Sequence, residues 1–437
     1  MNQNVAIIGA GPSGLAAARS LDKHGITWTG FELADDVGGL WDITHPRSTV
    51  YQSAHLISSK TTTQFAEFPM ADDVADYPSH RELRRYFHAY ADRFDLRRRI
   101  RFGTEVTAVT HDPATGAWTV TWTTRDGESH REQFTAVIAA NGTLSAPNIP
   151  AFAGQETFTG QILHTSVYKD PRIFTDQRVL IVGAGNSGCD IAVDAVHHAA
   201  SVDLSVRRGY HFVPKYLFGK PADTLNNGKP LPARIKQAID SRVLKAFTGD
   251  PARFGFPKPD HKLYESHPIV NSLILHHLGH GDARVVADIE RFDGETVRFK
   301  DGTSAAYDMV VLATGYRLHY PFLDKALLNW TGAAPDLYLN IVAPTPGLFV
   351  VGMIEASGIG WQGRAEQAEL VATYLDPHTD PARREQFDRR AAGPRPDLSG
   401  GYRYLGLDRM AYYVNKDAYR TTVRSEIAAL AGLESNR

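Results

Sequence analysis

Cysteine is almost missing from this 437-residue chain: Cys189 stands alone. That excludes an internal disulfide and any CxxC redox pair. Excess charge is missing too, with a formal net charge of −2, so nothing steers the chain toward nucleic acid. No apolar run approaches the ~18 residues needed to span a bilayer. The first such run, Val5–Ala10, breaks into glycines and lacks a basic leader or a cleavage site, so it reads as a strand rather than a signal peptide. The C-terminal "RSEIAALAGLESNR" reads as a short amphipathic helix and not an anchor. A soluble, cytoplasmic protein with no membrane or nucleic-acid partner is expected. Apolar residues make up 43% and charged residues 22%, an ordinary globular composition, and the length suits two domains.

What is present is one turn, twice. "VAIIGAGPSGLAAA" opens the chain and "VLIVGAGNSGCDIA" recurs near residue 180. A lone GxGxxG says little, but here each follows a β-branched run and precedes a helix-favouring stretch. Gly9 and Gly183 allow the tight turn. Gly11 and Gly185 let backbone approach a pyrophosphate, and Gly14 and Gly188 let helix pack on strand. The helix starts, at Pro12–Ser13 and Asn186–Ser187, then offer unpaired N–H groups to phosphate, from Ser13 onward in the first. The alternative is a purely structural strand-to-helix turn.

The second strand of each unit separates the two ligands. "ITWTGFEL" carries Glu32, 18 residues past Gly14, where a carboxylate accepts from both ribose hydroxyls of an adenosine. "SVDLSVRRG" places Arg207 and Arg208 at the corresponding spacing, where two guanidinium groups can fork onto a 2′-phosphate. A solvated strand end is the alternative for the arginines. The first site is therefore expected to take FAD and the second NADPH. In "DVGGLW", Gly39 lets backbone pass close to the first ligand while Leu40 and Trp41 cover it. "YDMVVLATGYR", ending at Thr314–Gly315, and "GLFVVGMIEASG" read as returning strands of the first domain.

The fold expected is α/β, with two Rossmann-like dinucleotide-binding domains and the NADPH domain inserted into the FAD domain. The boundaries are 1–165 for the first part of the FAD domain, 166–312 for the NADPH domain and 313–437 for the return and C-terminal helices. "SHRELRRYFHAYADRFDL" has helical period with Ser79 as N-cap. "GTEVTAVTHD", "AWTVTWTTRDG" and "FTAVIAANG" read as a small antiparallel layer. Residues 210–283, rich in Pro, His and aromatics, read as a lid or channel wall. "LHHLGHGD" tempts a metal reading through His276 and His280. Gly279 and Gly281 end any helix there and no carboxylate or cysteine completes a ligand set, so no metal is expected. "IEASGIGWQGRAEQAELVATYL" closes the first domain, its helix start near Gly360–Gly363, with Gln362, pointing at the flavin.

Between the units, "FTGQILHTSVYKD" matches FxGxxxHxxx(Y/F) at Phe158, Gly160, His164 and Tyr168. With both turns and "LATGY", the chain closely resembles the flavin-containing monooxygenases over nearly its whole length. The resemblance implies a bacterial-type, N,N-dimethylaniline monooxygenase-like enzyme. In that scheme NADPH reduces FAD, and O₂ is captured as a C4a-hydroperoxide that oxygenates an amine nitrogen or sulfide sulfur of a small molecule. It also implies adenine contact at the Val106 backbone, a domain-orienting role for the linking motif, and a possible homodimer. Related Baeyer–Villiger enzymes usually carry Trp at the last motif position, and Tyr168 favours the heteroatom-oxygenating branch.

One departure concerns Ile57 in "SAHLISSKTTTQFAEFPM", which occupies a slot where family members often place Asn just before "xSK". Either a hydroxyl of Ser58 or Ser59 takes over the polar contact near the flavin, or activated oxygen is held less well and leaves as hydrogen peroxide. Two rivals therefore stand beside the leading reading: ketone oxygenation of the Baeyer–Villiger type, and a non-oxygenating NADPH oxidase or flavin reductase.

Overall fold

The computed structural model describes residues 3–225 and 231–433. A few positions of the 210–283 segment and the end of "RSEIAALAGLESNR" lie outside the described residues. Strand β1 (Asn4–Ile8), helix α1 (Pro12–Lys23) and strand β2 (Thr27–Phe31) form the first unit. The short α2 (Lys60–Thr63) and α3 (His80–Arg93) follow. Ser79 caps α3 in a reciprocal capping box with Glu82, satisfying two otherwise orphaned N–H groups and contributing about 1 kcal/mol. Strand β3 (Ile100–Arg101) then returns to the sheet edge.

β4 (Thr104–His111), β5 (Trp118–Thr124) and β6 (Ser129–Phe134) make the antiparallel layer. "FTAVIAANG" supplies a different strand from the one expected. Its β7 (Ala136–Ala139) runs parallel beside β1, and the layer is completed by β6 instead. Ala136–Ala139 are buried throughout, as a strand covered on both faces must be, whereas β6 is largely exposed.

β8 (Ala146–Pro147) leads to β9 (Gln161–His164), β10 (Arg178–Val182), α4 (Asn186–Val196) and β11 (Ser201–Ser205). The 210–283 segment contributes a hairpin, β12 (Tyr216–Leu217) with β13 (Lys220–Pro221), then α5 (Ala233–Thr248) and α6 (Leu273–His280). α6 runs through Gly279 and stops only at Gly281, which is left-handed. One interior glycine costs a helix only about 1 kcal/mol relative to Ala. β14 (Arg284–Val286) is followed by the antiparallel β15 (Ile289–Asp293), β16 (Thr296–Phe299) and β17 (Ser304–Ala306).

β18 (Met309–Leu312) corrects the second strand assignment. It pairs in parallel with β10 and β9, at the heart of the second sheet, and not with the first domain. β19 (Tyr316–Arg317) pairs with β8, and β20 (Leu348–Val350) re-enters the first sheet beside β7. α7 (Gly360–Leu375), α8 (Pro381–Ala391) and α9 (Lys416–Ala431) finish the chain, α7 lying against both α1 and α9.

The two five-stranded sheets, β20-β7-β1-β2-β3 and β14-β11-β10-β18-β9, are parallel throughout. Each central strand alternates between two cores. Val5 and Ile7 face helices, while Ala6 and Ile8 face the β4–β6 layer with Trp118 and Val120. In the second unit Val179 and Ile181 face α4, while Leu180 and Val182 meet Phe292, Val297 and Phe299. The same three-layer plan is thus built twice. Both glycine turns are obligatory: Gly9 and Gly183 sit at φ +106 and +102, and a Cβ on Gly14 or Gly188 would fall 1.8 or 2.0 Å from a carbonyl oxygen of its own turn.

Candidate functional site

Ligands of parallel α/β sheets sit beyond the carboxyl ends of the strands, and there one cavity of about 1330 Å³ extends between both turns. A site for a single drug-sized ligand occupies roughly 300–1,000 Å³, so this space suits a large dinucleotide with room for a second partner. At one end are Gly9, Gly11, Pro12, Ser13, Glu32 and Val106. Gly39, Leu40 and Trp41 line its wall, and a Cβ on Gly39 would come within 2.9 Å of Gly11 Cα. Asn186 and Ser187 mark the other end. Gly14, Gly183 and Gly188 stay behind the wall, as turn and packing positions, and Gly185, also outside the lining, has open space where a Cβ would stand.

Glu32 is buried and fully engaged. Its Oε2 accepts from the Ala10 N–H at 2.6 Å, and its Oε1 from the Ala34 N–H at 2.8 Å and from His45 Nε2 at 3.0 Å. His45 Nδ1 accepts the Arg47 N–H at 2.9 Å, which assigns the ring proton to Nε2. Burial by itself would raise the Glu32 carboxyl, but these donors outweigh it and hold it below the usual carboxylate range. His45 went unnoticed in the sequence because its only signal is a histidine in a loop.

The second turn repeats the first in register. Gly9 N–H donates to Phe31 O at 2.8 Å and Gly183 N–H to Ser205 O at 2.9 Å. Val206 therefore occupies the place of Glu32, leaving no acid to repel a phosphate. Arg207 is exposed with no ion-pair or hydrogen-bond partner among the described residues. Arg208 Nη1 is shielded from water and unpartnered, and its Nη2 lies 3.9 Å from Asp260. An orphaned guanidinium nitrogen at this strand end fits a nucleotide 2′-phosphate. Asn186 is instead held by the 210–283 segment, its Oδ1 accepting the Val270 N–H at 2.7 Å and its Nδ2 donating to Pro268 O at 3.3 Å.

Besides Gly14, three expected first-site residues lie outside the lining. Thr314 donates to Asn148 O at 2.6 Å, and Gly315 O accepts from His164 Nε2 at 3.1 Å, both at the end of β18 in the second unit. Gln362 turns away to accept the Ala66 N–H at 2.9 Å. Gly360 and Trp361 of the same helix start do line the cavity. Asn141 follows β7 into the lining, its Oδ1 buried without a partner. The strand-then-"NG" pattern around Asn141 was the available signal for it.

Ile57 and Ser58 line the cavity, whereas Ser59 is buried. Ser58 Oγ lies 2.7 Å from Thr63 Oγ1, and Ser59 Oγ is within 3.1 Å of Thr62 Oγ1. Lys60 staples the following loop by donating to the carbonyls of Ala71 and Asp72 at 2.9 and 3.0 Å.

The linking motif packs outside the cavity. Phe158 meets Phe292, and Gly160 leaves no room for a Cβ beside Asp308 O. His164 Nδ1 accepts the Ser166 N–H, and burial pulls its pKa down. Tyr168 OH donates to Asp194 on α4 at 2.7 Å while its ring meets Tyr51 of the first unit. The next residue, Lys169, donates to Ser48 O and Val50 O. The motif therefore ties the two units together.

The 210–283 segment supplies a wall of the cavity through Leu217, Asp223, Leu244 and Tyr264. The rings of His276 and His280 are 3.9 Å apart, but no group of three or more metal-ligating side chains occurs among the described residues. No helix among them is long and apolar enough to cross a membrane. Cys189 is buried on α4, where burial pushes its thiol pKa well up.

The family described as flavin-binding monooxygenase-like matches residues 2–377. A human protein named putative dimethylaniline monooxygenase [N-oxide-forming] 6 is 34% identical over 413 residues, covering 89% of this chain and 76% of its own. The fold is shared with S-allyl-L-cysteine S-oxygenase from Allium sativum, at TM-score 0.68 and 22% identity, over 99% of this chain and 89% of that one. It is likewise shared with the NADP⁺-bound cyclohexanone monooxygenase from Rhodococcus sp. Phi1, at TM-score 0.69 and 20% identity, over 98% of each chain.

Proposed function

The chain belongs to the flavin-binding monooxygenase-like family, and from that membership we propose that it transfers one oxygen atom to an amine nitrogen or sulfide sulfur of a small molecule. It is a flavoprotein monooxygenase with FAD and NADPH as cofactors. The bound pair supplies the redox chemistry, reduction by NADPH and activation of O₂ at the flavin. The first turn, with Glu32, is the proposed seat of FAD, and the second, with Arg207 and Arg208, that of NADPH.

The observation that carries the reading is the continuity of the cavity from one turn to the other, with the only cysteine outside it. A disulfide reductase needs a thiol couple beside the flavin. Here the electrons leave through something small enough to enter the cavity. The chain's own part is to position and to keep dry. Trp41 and Trp361 cross edge-to-face at 6.4 Å beside the flavin end, and the described part of the 210–283 segment walls the space, which limits the access of water to the reacting atoms. A chain with one buried thiol suits a reducing cytoplasm, where we place it, and a homodimer is the assembly we propose.

Purified, FAD-loaded protein is given NADPH, ¹⁸O₂ and, in turn, a thioether, a tertiary amine and a cyclic ketone. Labelled sulfoxide or N-oxide in step with NADPH consumption supports the proposal. Lactone as the main product replaces it with Baeyer–Villiger chemistry, and hydrogen peroxide alone replaces it with an oxidase.

A further inference from the structure

The turn at Ile57–Ser59 faces the cavity with an apolar side chain first, yet it is held by a carboxylate from far away in the chain. The Ser59 N–H donates to Asp223 Oδ2 at 2.7 Å, across a sequence separation of 164 residues. Asp223 comes from the 210–283 segment, just after the β12–β13 hairpin, and itself lines the cavity. Its Oδ1 is buried with no hydrogen-bond partner among the described residues. Two further contacts fasten the same hairpin to the first unit. Tyr77 OH donates to Lys215 O, and Tyr216 OH to Asp76 Oδ2 at 3.1 Å, with the two tyrosine rings 5.4 Å apart. Of these three contacts, the one from Asp223 alone reaches the cavity-lining turn.

We propose that Asp223 is a positioning residue: it latches residues 215–223 onto the Ile57–Ser59 turn, so that docking of this stretch and fixing of the turn are one event. The side chain of Ile57 has no polar atom with which to order the turn, and part of the order comes from Asp223. A carboxylate on a backbone N–H is a charge-assisted bond, stronger than a neutral one. Hydroxyl bonds to Thr62 and Thr63 hold the far side of the turn, and Asp223 fixes its Ser59 amide from the docked segment. The remaining Asp223 oxygen is an acceptor placed at the seam between this stretch and the turn. Only the turnover arm of the test below rests on the oxygenase reading.

The test compares Asp223→Ala and Asp223→Asn in the FAD-loaded full chain. Hydrogen exchange at residues 57–63, followed by mass spectrometry, reads the latch without any turnover. The share of NADPH electrons ending in hydrogen peroxide, with a thioether present, reads its consequence. Asp223→Ala is expected to speed exchange at the Ser59 amide at least about tenfold. It should also raise the peroxide share while the KM for NADPH stays the same. Asp223→Asn is expected to restore both, because its amide oxygen accepts the same N–H. Unchanged exchange in Asp223→Ala overturns the latch, as does an asparagine variant indistinguishable from the alanine one. If exchange responds as expected while the parent protein makes no oxygenated product, the latch stands and the oxygenase reading falls.

Discussion

Oε2 of Glu32 lies 2.6 Å from the amide nitrogen of Ala10, the residue between the first two glycines of the turn. The acid at the end of β2 therefore shapes the phosphate loop from beneath as well as facing the cavity. Glu32→Ala removes the acceptor for two N–H groups and His45, and is expected to weaken FAD retention by about 10–100-fold. Glu32→Gln keeps an acceptor and should lose less. The ratio of flavin to protein absorbance after gel filtration measures this, and full flavin content in the alanine variant would remove Glu32 from the cofactor site.

Arg208 presents a buried, unpartnered Nη1 and Arg207 an exposed guanidinium. Replacing both with Ala is expected to raise the KM for NADPH about 10–100-fold, the worth of one or two charge-assisted bonds. The KM for NADH should hardly move. Equal effects on both nucleotides would mean that the arginines do not meet the 2′-phosphate.

Glu366 on α7 is buried and receives Arg420 at 2.7 Å and Arg424 at 2.6 Å, both from α9. Glu366→Ala removes the shared acceptor of a partly buried Arg420 and an exposed Arg424 and is expected to cost about 2–3 kcal/mol. Arg420→Ala should cost less, about 1–2 kcal/mol, because Arg424 still holds the carboxylate. Urea unfolding midpoints of the two variants decide the order.

His24, at the end of α1, sits between Asp376 at Nδ1, 2.7 Å, and Glu369 at Nε2, 3.0 Å. The hydrogen bond to Glu369 outweighs the opposing effect of burial and, with Asp376, raises the imidazole pKa above 6.5. Both carboxyls are held low despite their own burial. A raised histidine stabilises fully below its unfolded pKa and stops doing so as pH rises through the folded one. The carboxylates stabilise above their unfolded values and lose that as pH falls. The clamp is therefore strongest between about pH 4.5 and 6.5. His24→Gln is expected to lower the melting temperature clearly at pH 6 and little at pH 9, and an equal loss at both would refute the charged pairing.

Much of the site was legible because the glycine turns are local. Strand, turn and helix follow one another within a few residues, and the acid or basic pair comes at a fixed distance. Strand membership was harder. "MVVL" and "AVIA" are apolar throughout, which says that they are buried on both faces but not in which sheet. Parallel neighbours meet only through long crossovers, so β18 looked as much like a return to the first sheet as a member of the second. Gln362 differs in phase from the lining: at the start of a helix one residue turns a side chain by 100°, and it is Trp361 that meets the cavity. The bond from Asp223 to Ser59 left no trace in the sequence: Ser59 belongs to the "xSK" stretch, but nothing marks Asp223 as its partner.

The position of β20 has a consequence for biosynthesis. Residues 348–350 pair with residues 137–139, so the nascent chain leaves the flank of its first sheet bare until the whole second unit has emerged from the ribosome. β18 imposes the same delay on β9 and β10. Both sheets are thus completed late, by strands carried on distant stretches of message, and folding that depends on such remote pairings is intrinsically slow. For this enzyme, acquiring a shape able to take up its coenzymes is expected to be post-translational, with the half-made sheets in the care of chaperones until then.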